Sequence, residues 1–316
     1  MQNRAVLRLT AIVPATNAPP TLAACLAAFE AAAEPPDEVI AVEQASAPGP
    51  AAARNEGAAR AGGDVLVFVD ADVIVHRDAF ARIRRAFDDD ALDALFGSYD
   101  DGPAAGGMVS GFRNLLHHHV HQTSPGPATT FWAGLGAVRK AAFDAAGGFD
   151  AARYPEPSVE DIELGMRLVA SGRRIRLDPA IQGTHLKGWT VVSMLHTDFA
   201  RRGVPWVELL LERGGSASAL NLGWRHRLSA AAAVSGAVAL VAGRPRPALG
   251  AAAALVLLNA DFYALLARRL GPRGAVGGVG LHALHHLAGA AAVPAGALRY
   301  WTSATSRSAS TVSPSS

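Results

Sequence analysis

Val65-Leu66-Val67-Phe68-Val69, followed at once by Asp70-Ala71-Asp72, decides how this chain is read. Five consecutive apolar residues, mostly β-branched, suit a strand buried on both faces. The two acids, two positions apart, then stand at its carboxyl end. Working outward, the same unit recurs. Leu7–Pro14 (LRLTAIVP) and Glu38–Glu43 (EVIAVE) predict two more strands, and Pro20–Ala33 and Pro50–Ala61 predict the helices between them. Asp78–Phe87 predicts a further helix after the acids. Strand–helix–strand–helix–strand at this spacing predicts an α/β fold with an open, Rossmann-like, mostly parallel sheet and flanking helices. Ligands of such sheets bind beyond the carboxyl ends of the strands, where Asn17, Glu43, Asp70 and Asp72 all fall. Pro14-Ala15-Thr16-Asn17 stands where a dinucleotide site would carry its glycine fingerprint, which argues against NAD chemistry.

The rest of the composition narrows the class. Of 316 residues, 50% are hydrophobic and 18% charged, which excludes a disordered or fibrous protein. Lys+Arg 29 against Asp+Glu 27 gives a formal charge of +2, a balance that does not suit a nucleic-acid binder. The single cysteine, Cys25, excludes an intrachain disulfide framework and a Cys-based zinc or iron–sulfur site. Met1–Arg8 is polar and Leu9–Ala15 is a short, strand-like apolar run, so no signal peptide is expected.

Beyond Arg227 the chain changes character. Leu228–Ala242 is apolar over 15 residues, Ala248–Ala267 over 20 with Asn259 and Asp261 inside it, and Ala275–Leu298 contains His282, His285, His286 and Pro294. A spanning helix needs about 20 apolar residues. Two or three membrane helices are therefore expected, with a buried Ala-rich bundle as the alternative. With three spans and the N-terminal part inside, Arg201, Arg202, Arg213, Arg225, Arg227, Arg268, Arg269 and Arg273 are cytoplasmic and Arg244, Arg246 and Arg299 are outside. That bias agrees with the positive-inside rule and predicts a multi-pass protein of the inner (cytoplasmic) membrane. Asp261 inside an apolar stretch is costly unless paired or near an end. The Ser/Thr-rich residues 302–316 are expected to be a disordered tail.

Several residue groups carry chemistry, each beside a plainer reading. Asp70 and Asp72 can hold Mg²⁺ or Mn²⁺, which takes one or two carboxylates and completes its shell with phosphate oxygens and water; Asp also ends strands as a turn former. Ser158-Val159-Glu160-Asp161 reads as a capping box, or as the source of a base for an acceptor hydroxyl. His117 and His121 are i, i+4 on one helix face, a spacing open to metal binding or to a basic helix beside a cleft or membrane. His282, His285 and His286 suit a bundle interior as well as a ligand set.

Seven pieces in order resemble family 2 glycosyltransferases of GT-A fold: Pro14-Ala15-Thr16-Asn17, Glu43, Arg54-Asn55-Glu56-Gly57, Asp70-Ala71-Asp72, Phe131-Trp132-Ala133-Gly134, Gly147-Gly148-Phe149-Asp150 and Glu160-Asp161. The resemblance covers residues 8–212, and a C-terminal set of apolar helices is similar to the membrane-attached bacterial members. It implies a catalytic domain over 1–215, membrane-associated helices over 216–301, and the tail over 302–316. It implies an inverting transfer from a UDP- or GDP-linked sugar to a hydroxyl of a lipid-linked or cell-envelope glycan acceptor. Pro14, Ala15, Thr16, Asn17, Glu43, Arg54, Asn55, Asp70, Ala71 and Asp72 would bind the donor, with Asp72 on the metal and His185 as a further metal ligand. Trp132, Ala133, Gly134 and Trp189 would line the acceptor side. Asp161, of the Glu160-Asp161 pair, would be the base. The chain departs from the family at Glu43-Gln44-Ala45-Ser46, where Asp-Asp-Gly-Ser is usual, and at Ala18, where an acid is common. Two other classes compete: a degenerate, non-catalytic membrane protein of the same fold, and a nucleotidyltransferase, which would want a basic glycine-rich loop where Pro14–Pro20 stands.

Overall fold

The computed structural model describes residues 7–214 and 223–310, with side chains to residue 302. The chain divides into two compact units, Met1–Gly188 and Trp189–Ser316.

The first unit is built on one mixed sheet. Its elements are β1 (Leu9–Pro14), α1 (Leu22–Glu30), β2 (Glu38–Val42), α2 (Pro50–Arg60), β3 (Val65–Val69), β4 (Val73–Val75), α3 (Ala79–Ala86), β5 (Ala94–Tyr99), α4 (Met108–Gln122), β6 (Gly126–Ala128), β7 (Leu135–Arg139), α5 (Lys140–Ala145), α6 (Glu160–Ala170) and β8 (Ile175–His185). The strand order is β2-β1-β3-β7-β5-β8-β4, with β6 paired to β8. Strands β2, β1, β3, β5 and β8 run one way, and β7, β4 and β6 run against them. The expected sheet is thus present, with an antiparallel β7 inserted next to β3.

Period-2 alternation explains the core. Leu9, Ala11 and Val13 of β1 and Val65, Val67 and Val69 of β3 pack with Cys25, Phe29, Phe80, Ile83 and Phe87 from α1, α3 and the end of α3 on one face. Phe68 points the other way, into Phe143 and Phe149 at ring separations of 5.4 and 5.2 Å. Both faces are covered, so β3 can be apolar throughout. Gly57 lets α2 lie close on β1, because a Cβ there would meet Ile12 Cγ2 at 2.4 Å.

The second unit is helical: α7 (Val191–His196), a π-helix (Thr197–Gly203), α8 (Val204–Glu212), α9 (Trp224–Val241), α10 (Pro245–Leu258) and α11 (Ala260–Ser310). The expected apolar stretch Ala248–Ala267 is not one helix. It breaks at Asn259, whose side chain donates to Ser229 Oγ and Leu255 O (both 2.8 Å), while Arg225 donates to Leu258 O at the end of α10. A polar residue that finds partners at a helix end stops the helix there. Asp261 is exposed, 4.0 Å from Arg225. Helix α11 is broken again at Gly271, which has a positive φ of 74°. Among the described residues, Ala260–Thr302 is long and apolar enough to cross a membrane; α10 is apolar but only 14 residues long, about 21 Å at 1.5 Å per residue. The histidines of α11 find bundle partners: Tyr263 Oη lies 2.9 Å from His282 Nδ1, and Asp198 Oδ2 lies 2.8 Å from His285 Nδ1. Of the expected tail, residues 302–310 are helical, and 311–316 lie outside the described residues.

Candidate active site

The carboxyl ends of β1, β2 and β3 carry the residues singled out in the sequence. Thr16 and Asn17 are exposed just beyond β1, and Glu43 just beyond β2. Pro14 is half-buried, and Ala15 is buried with its N–H donated to Val42 O at 2.9 Å, which ties the first two loops together. The loop after Glu43 is fastened to α2, since the Ser46 N–H and hydroxyl both donate to Glu56 Oε1 at 2.5 Å.

Below this rim sits a buried cation. Arg54, only 5% exposed, donates from Nη2 to Asp70 Oδ1 at 2.7 Å and from Nη1 to Glu160 Oε1 at 3.0 Å. Glu160 also accepts from the Ser158 N–H at 2.8 Å. Desolvated acids need such partners. Burial still pushes the Asp70 carboxyl above the usual carboxylate range, against the pull of Arg54, and the neighbouring Asp72 charge adds to the rise. Asn55 is committed elsewhere: its amide donates to Phe149 O at 2.8 Å and accepts from Phe149 N at 2.9 Å, pinning the Gly147-Gly148-Phe149 turn to α2.

Asp72 faces a different partner. Strand β4 pairs antiparallel with the end of β8, setting Val73 opposite His185, and the Leu186 N–H donates to Asp72 O at 2.8 Å. His185 Nε2 thereby lies 3.5 Å from Asp72 Oδ2. Burial opposes ionisation of Asp72, but the hydrogen bond and charge of His185, helped by Lys187, hold its carboxyl below the usual range. Among the described residues no group of three or more His, Cys, Asp or Glu could hold a metal ion. A two-donor site of one carboxylate and one imidazole does suit a hard divalent cation that keeps most of its shell for phosphate and water.

Helix α6 brings the second acid pair to the same place. The expected capping box does not form: Val159 is the N-cap, no side chain caps the helix, and Ser158 serves Glu160 instead. Asp161 is half-buried, and its Oδ2 accepts from the Ala133 N–H at 3.1 Å. That loop returns to the strand end, where the Asp70 N–H donates to Gly134 O at 3.1 Å. Gly134 is required there, because a Cβ would stand 2.4 Å from the Trp132 indole. Ala71 and Ala133 are buried and shape this junction through their backbones. Trp189 begins the second unit and is not among the residues that the first unit assembles.

Sequence reasoning missed the wall beside His185. Tyr99 stacks on the His185 ring at 4.2 Å and 10°, His117 lies 4.3 Å behind Tyr99, and Trp132 packs against both, 4.9 Å from Tyr99 and 4.5 Å from His117. His117 and His121 do share a helix face, with rings 4.0 Å apart, but that face packs on aromatic rings and on Gly97 O. The i, i+4 spacing was the only signal available.

Residues 43–145 match the family model described as glycosyl transferase family 2. Over those residues the chain carries the signature of the family 2 glycosyltransferases. The match takes in Glu43, Arg54, Asn55, Asp70–Asp72 and Trp132–Gly134, and ends before Glu160, Asp161 and His185. Among solved structures, this glycosyltransferase is similar to the mannosyltransferase PcManGT from Pyrobaculum calidifontis, crystallised with GDP-Man and Mn²⁺, at 17% identity and TM-score 0.56, over 92% of this chain and 88% of that one. That likeness shows the GT-A fold. S. aureus TarS 1–349 matches at 14% identity and TM-score 0.46, over 89% of this chain and 90% of that one. GalNAc-T7 with UDP, GalNAc and Mn²⁺ matches at 16% identity and TM-score 0.46, over 66% of this chain and 48% of that one. No curated protein matches the glycosyltransferase chain.

Proposed function

We propose that this glycosyltransferase moves a sugar from a UDP- or GDP-linked donor to an acceptor hydroxyl with inversion at the anomeric carbon. Thr16, Asn17 and Glu43 line the base and ribose side of the donor pocket, over the Pro14-Ala15 turn. Asp70, fixed by Arg54, orients the ribose and sugar hydroxyls, with Ala71 at the floor. Asp72 and His185 hold Mg²⁺ or Mn²⁺, which when bound offsets the charge of the departing diphosphate. Asp161 takes the proton from the acceptor oxygen as that oxygen bonds to the anomeric carbon. The electron pair of the breaking C–O bond leaves with the nucleoside diphosphate. Glu160 supports this from behind, by holding Arg54 rather than by meeting substrate. Trp132, Ala133 and Gly134 shape the acceptor side.

The observation that carries the reading is the network joining the two acid pairs. Asp161 is held by Ala133 N–H, and the next residue, Gly134, is held by Asp70 N–H, so the base and the donor acids are tied to one Ala133-Gly134 dipeptide. Arg54 engages Glu160, so the role of base falls to Asp161, and single displacement needs one such acid where a hydrolase would need a carboxylate pair.

We further propose that the catalytic domain extends over 1–215 and stands at the cytoplasmic face of the inner membrane. In this reading the apolar helices of 216–301 anchor it next to a lipid-linked or envelope glycan acceptor. Exposed Val241, Leu249, Val276 and Leu298 support a lipid-facing role for these helices. The test is nucleotide release from UDP- and GDP-sugars by the detergent-purified full chain with Mn²⁺, beside Asp72→Ala and Asp161→Asn. Turnover that is lost in both variants supports the reading. Turnover unchanged by either variant overturns the assignment of those residues, and no turnover or donor binding at all overturns the activity.

A further inference from the structure

We propose that Tyr99 is a positioning residue for the metal site: its ring fixes the His185 imidazole so that Nε2 is presented beside Asp72. This rests on the reading of Asp72 and His185 as the metal pair. The placement follows from strand register. Tyr99 ends β5 directly beside Gly183 of β8, and His185 lies two residues further along the same strand, hence on the same face. The phenol ring lies over the imidazole, parallel to it at 4.2 Å. His185 is 8% exposed, and the opposite strand β4 fixes its backbone through the Val73 pairing. What the backbone leaves free is rotation of the ring about its Cβ–Cγ bond, a broad and shallow torsion for histidine. A flat ring stacked on one face removes that freedom. Tyr99 is itself braced by His117 at 4.3 Å and by the edge-on Trp132 at 4.9 Å, so the stack has a rigid back.

The stack matters because a two-donor site has no redundancy. With an imidazole nitrogen 3.5 Å from a carboxylate oxygen, one cation can reach both only if the ring keeps its angle. Residues that orient a ligand through contact are worth about 10–100-fold in metal affinity when removed. An imidazole ligand also favours Mn²⁺ over Mg²⁺, which prefers oxygen donors, so a loosened His185 narrows the preference between the two ions.

The experiment uses the full chain with Mn²⁺ and UDP or GDP. It reads Mn²⁺ affinity by titration and the ¹⁴N modulation of the Mn²⁺ electron-spin echo, which reports a coordinated imidazole. Wild type is compared with Tyr99→Phe, Tyr99→Leu and His185→Ala. The expected result is ¹⁴N modulation in wild type and Tyr99→Phe, its loss in His185→Ala, and its weakening in Tyr99→Leu with about tenfold poorer Mn²⁺ affinity. Tyr99→Leu with wild-type modulation and affinity overturns the positioning role while leaving the metal pair standing. Wild type and His185→Ala binding Mn²⁺ alike, without modulation, overturns the metal pair and the proposal with it. Should Tyr99→Leu not fold, His117→Ala loosens the stack from its far side and is expected to show a smaller loss in the same direction; an unchanged signal there overturns the proposal.

Discussion

Arg54 and Glu160 are 106 residues apart in the chain and 3.0 Å apart in the fold, each about 5% exposed. The guanidinium that neutralises Glu160 also holds Asp70, so helix α2, the end of β3 and the start of α6 are joined by one planar cation. Arg suits this because its fork reaches two carboxylates at once, which a lysine ammonium does with less geometric control.

Removing that cation leaves the buried Glu160 with only the Ser158 N–H and takes the counter-charge from the half-buried Asp70. Arg54→Met is expected to destabilise the protein by about 3–5 kcal/mol, the range for breaking a buried pair from one side. Adding Glu160→Gln to Arg54→Met should recover part of the loss. Thermal melts of the full-length single and double variants check both expectations. A double variant less stable than Arg54→Met alone contradicts the pairing.

The two members of the Glu160-Asp161 pair separate by experiment. Asp161→Asn keeps the Ala133 N–H contact but cannot take a proton, so kcat is expected to fall about 10²–10⁴-fold with donor binding retained. Glu160→Gln is expected to lower the melting temperature first, because it meets Arg54 rather than substrate. Steady-state kinetics beside nucleotide-binding titrations distinguish the two.

Acid should unfold the first unit partly through Asp37. Burial works against its charge, but the Leu9 N–H at 2.7 Å and Arg84 at 2.8 Å outweigh that and hold its carboxyl below the usual value of 3.8. A lowered carboxyl stabilises the folded state fully above its unfolded pKa and loses that contribution as pH falls through the folded one. Melting temperature is therefore expected to drop below about pH 4, and Asp37→Asn should flatten part of that drop. Melts from pH 6 to pH 2.5 test it, and an unchanged slope in the variant contradicts it.

Gly134→Ala inserts a methyl 2.4 Å from the Trp132 indole. Overpacking of this kind costs about 1–3 kcal/mol. The indole must move, and with it the loop that holds Asp161. The expected outcome is a lower kcat together with a shifted tryptophan emission, read by fluorescence and turnover on the same preparation.

How much of this was legible depends on locality. Strands β1, β2 and β3 stand out as short apolar runs because both of their faces are covered, and the acids after β3 follow from where such strands end. The three residues of β4 follow Asp72 too closely to stand out. Strand β8 carries Arg176, Asp178 and Pro179 along its 11 residues, which breaks up the apolar pattern that marks the other long strands. The insertion of β7 between β3 and β5 is a long-range pairing that no local pattern encodes. In the second unit, Asn259 read as a blemish within an apolar span. It ends a helix instead, because Ser229 and Arg225, about 30 residues earlier, meet it and its neighbour there. The Arg54 bridge and the Tyr99 stack were invisible for the same reason: their partners come from distant elements.

Cys25 is fully buried against Asp70 O, and burial, reinforced by the nearby Asp70 and Asp72 charges, pushes its thiol up to about 12. It is also the chain's only sulfhydryl. The protein therefore offers a silent background for maleimide chemistry: a cysteine introduced at an exposed point takes a spin label or fluorophore alone, with the native one left untouched.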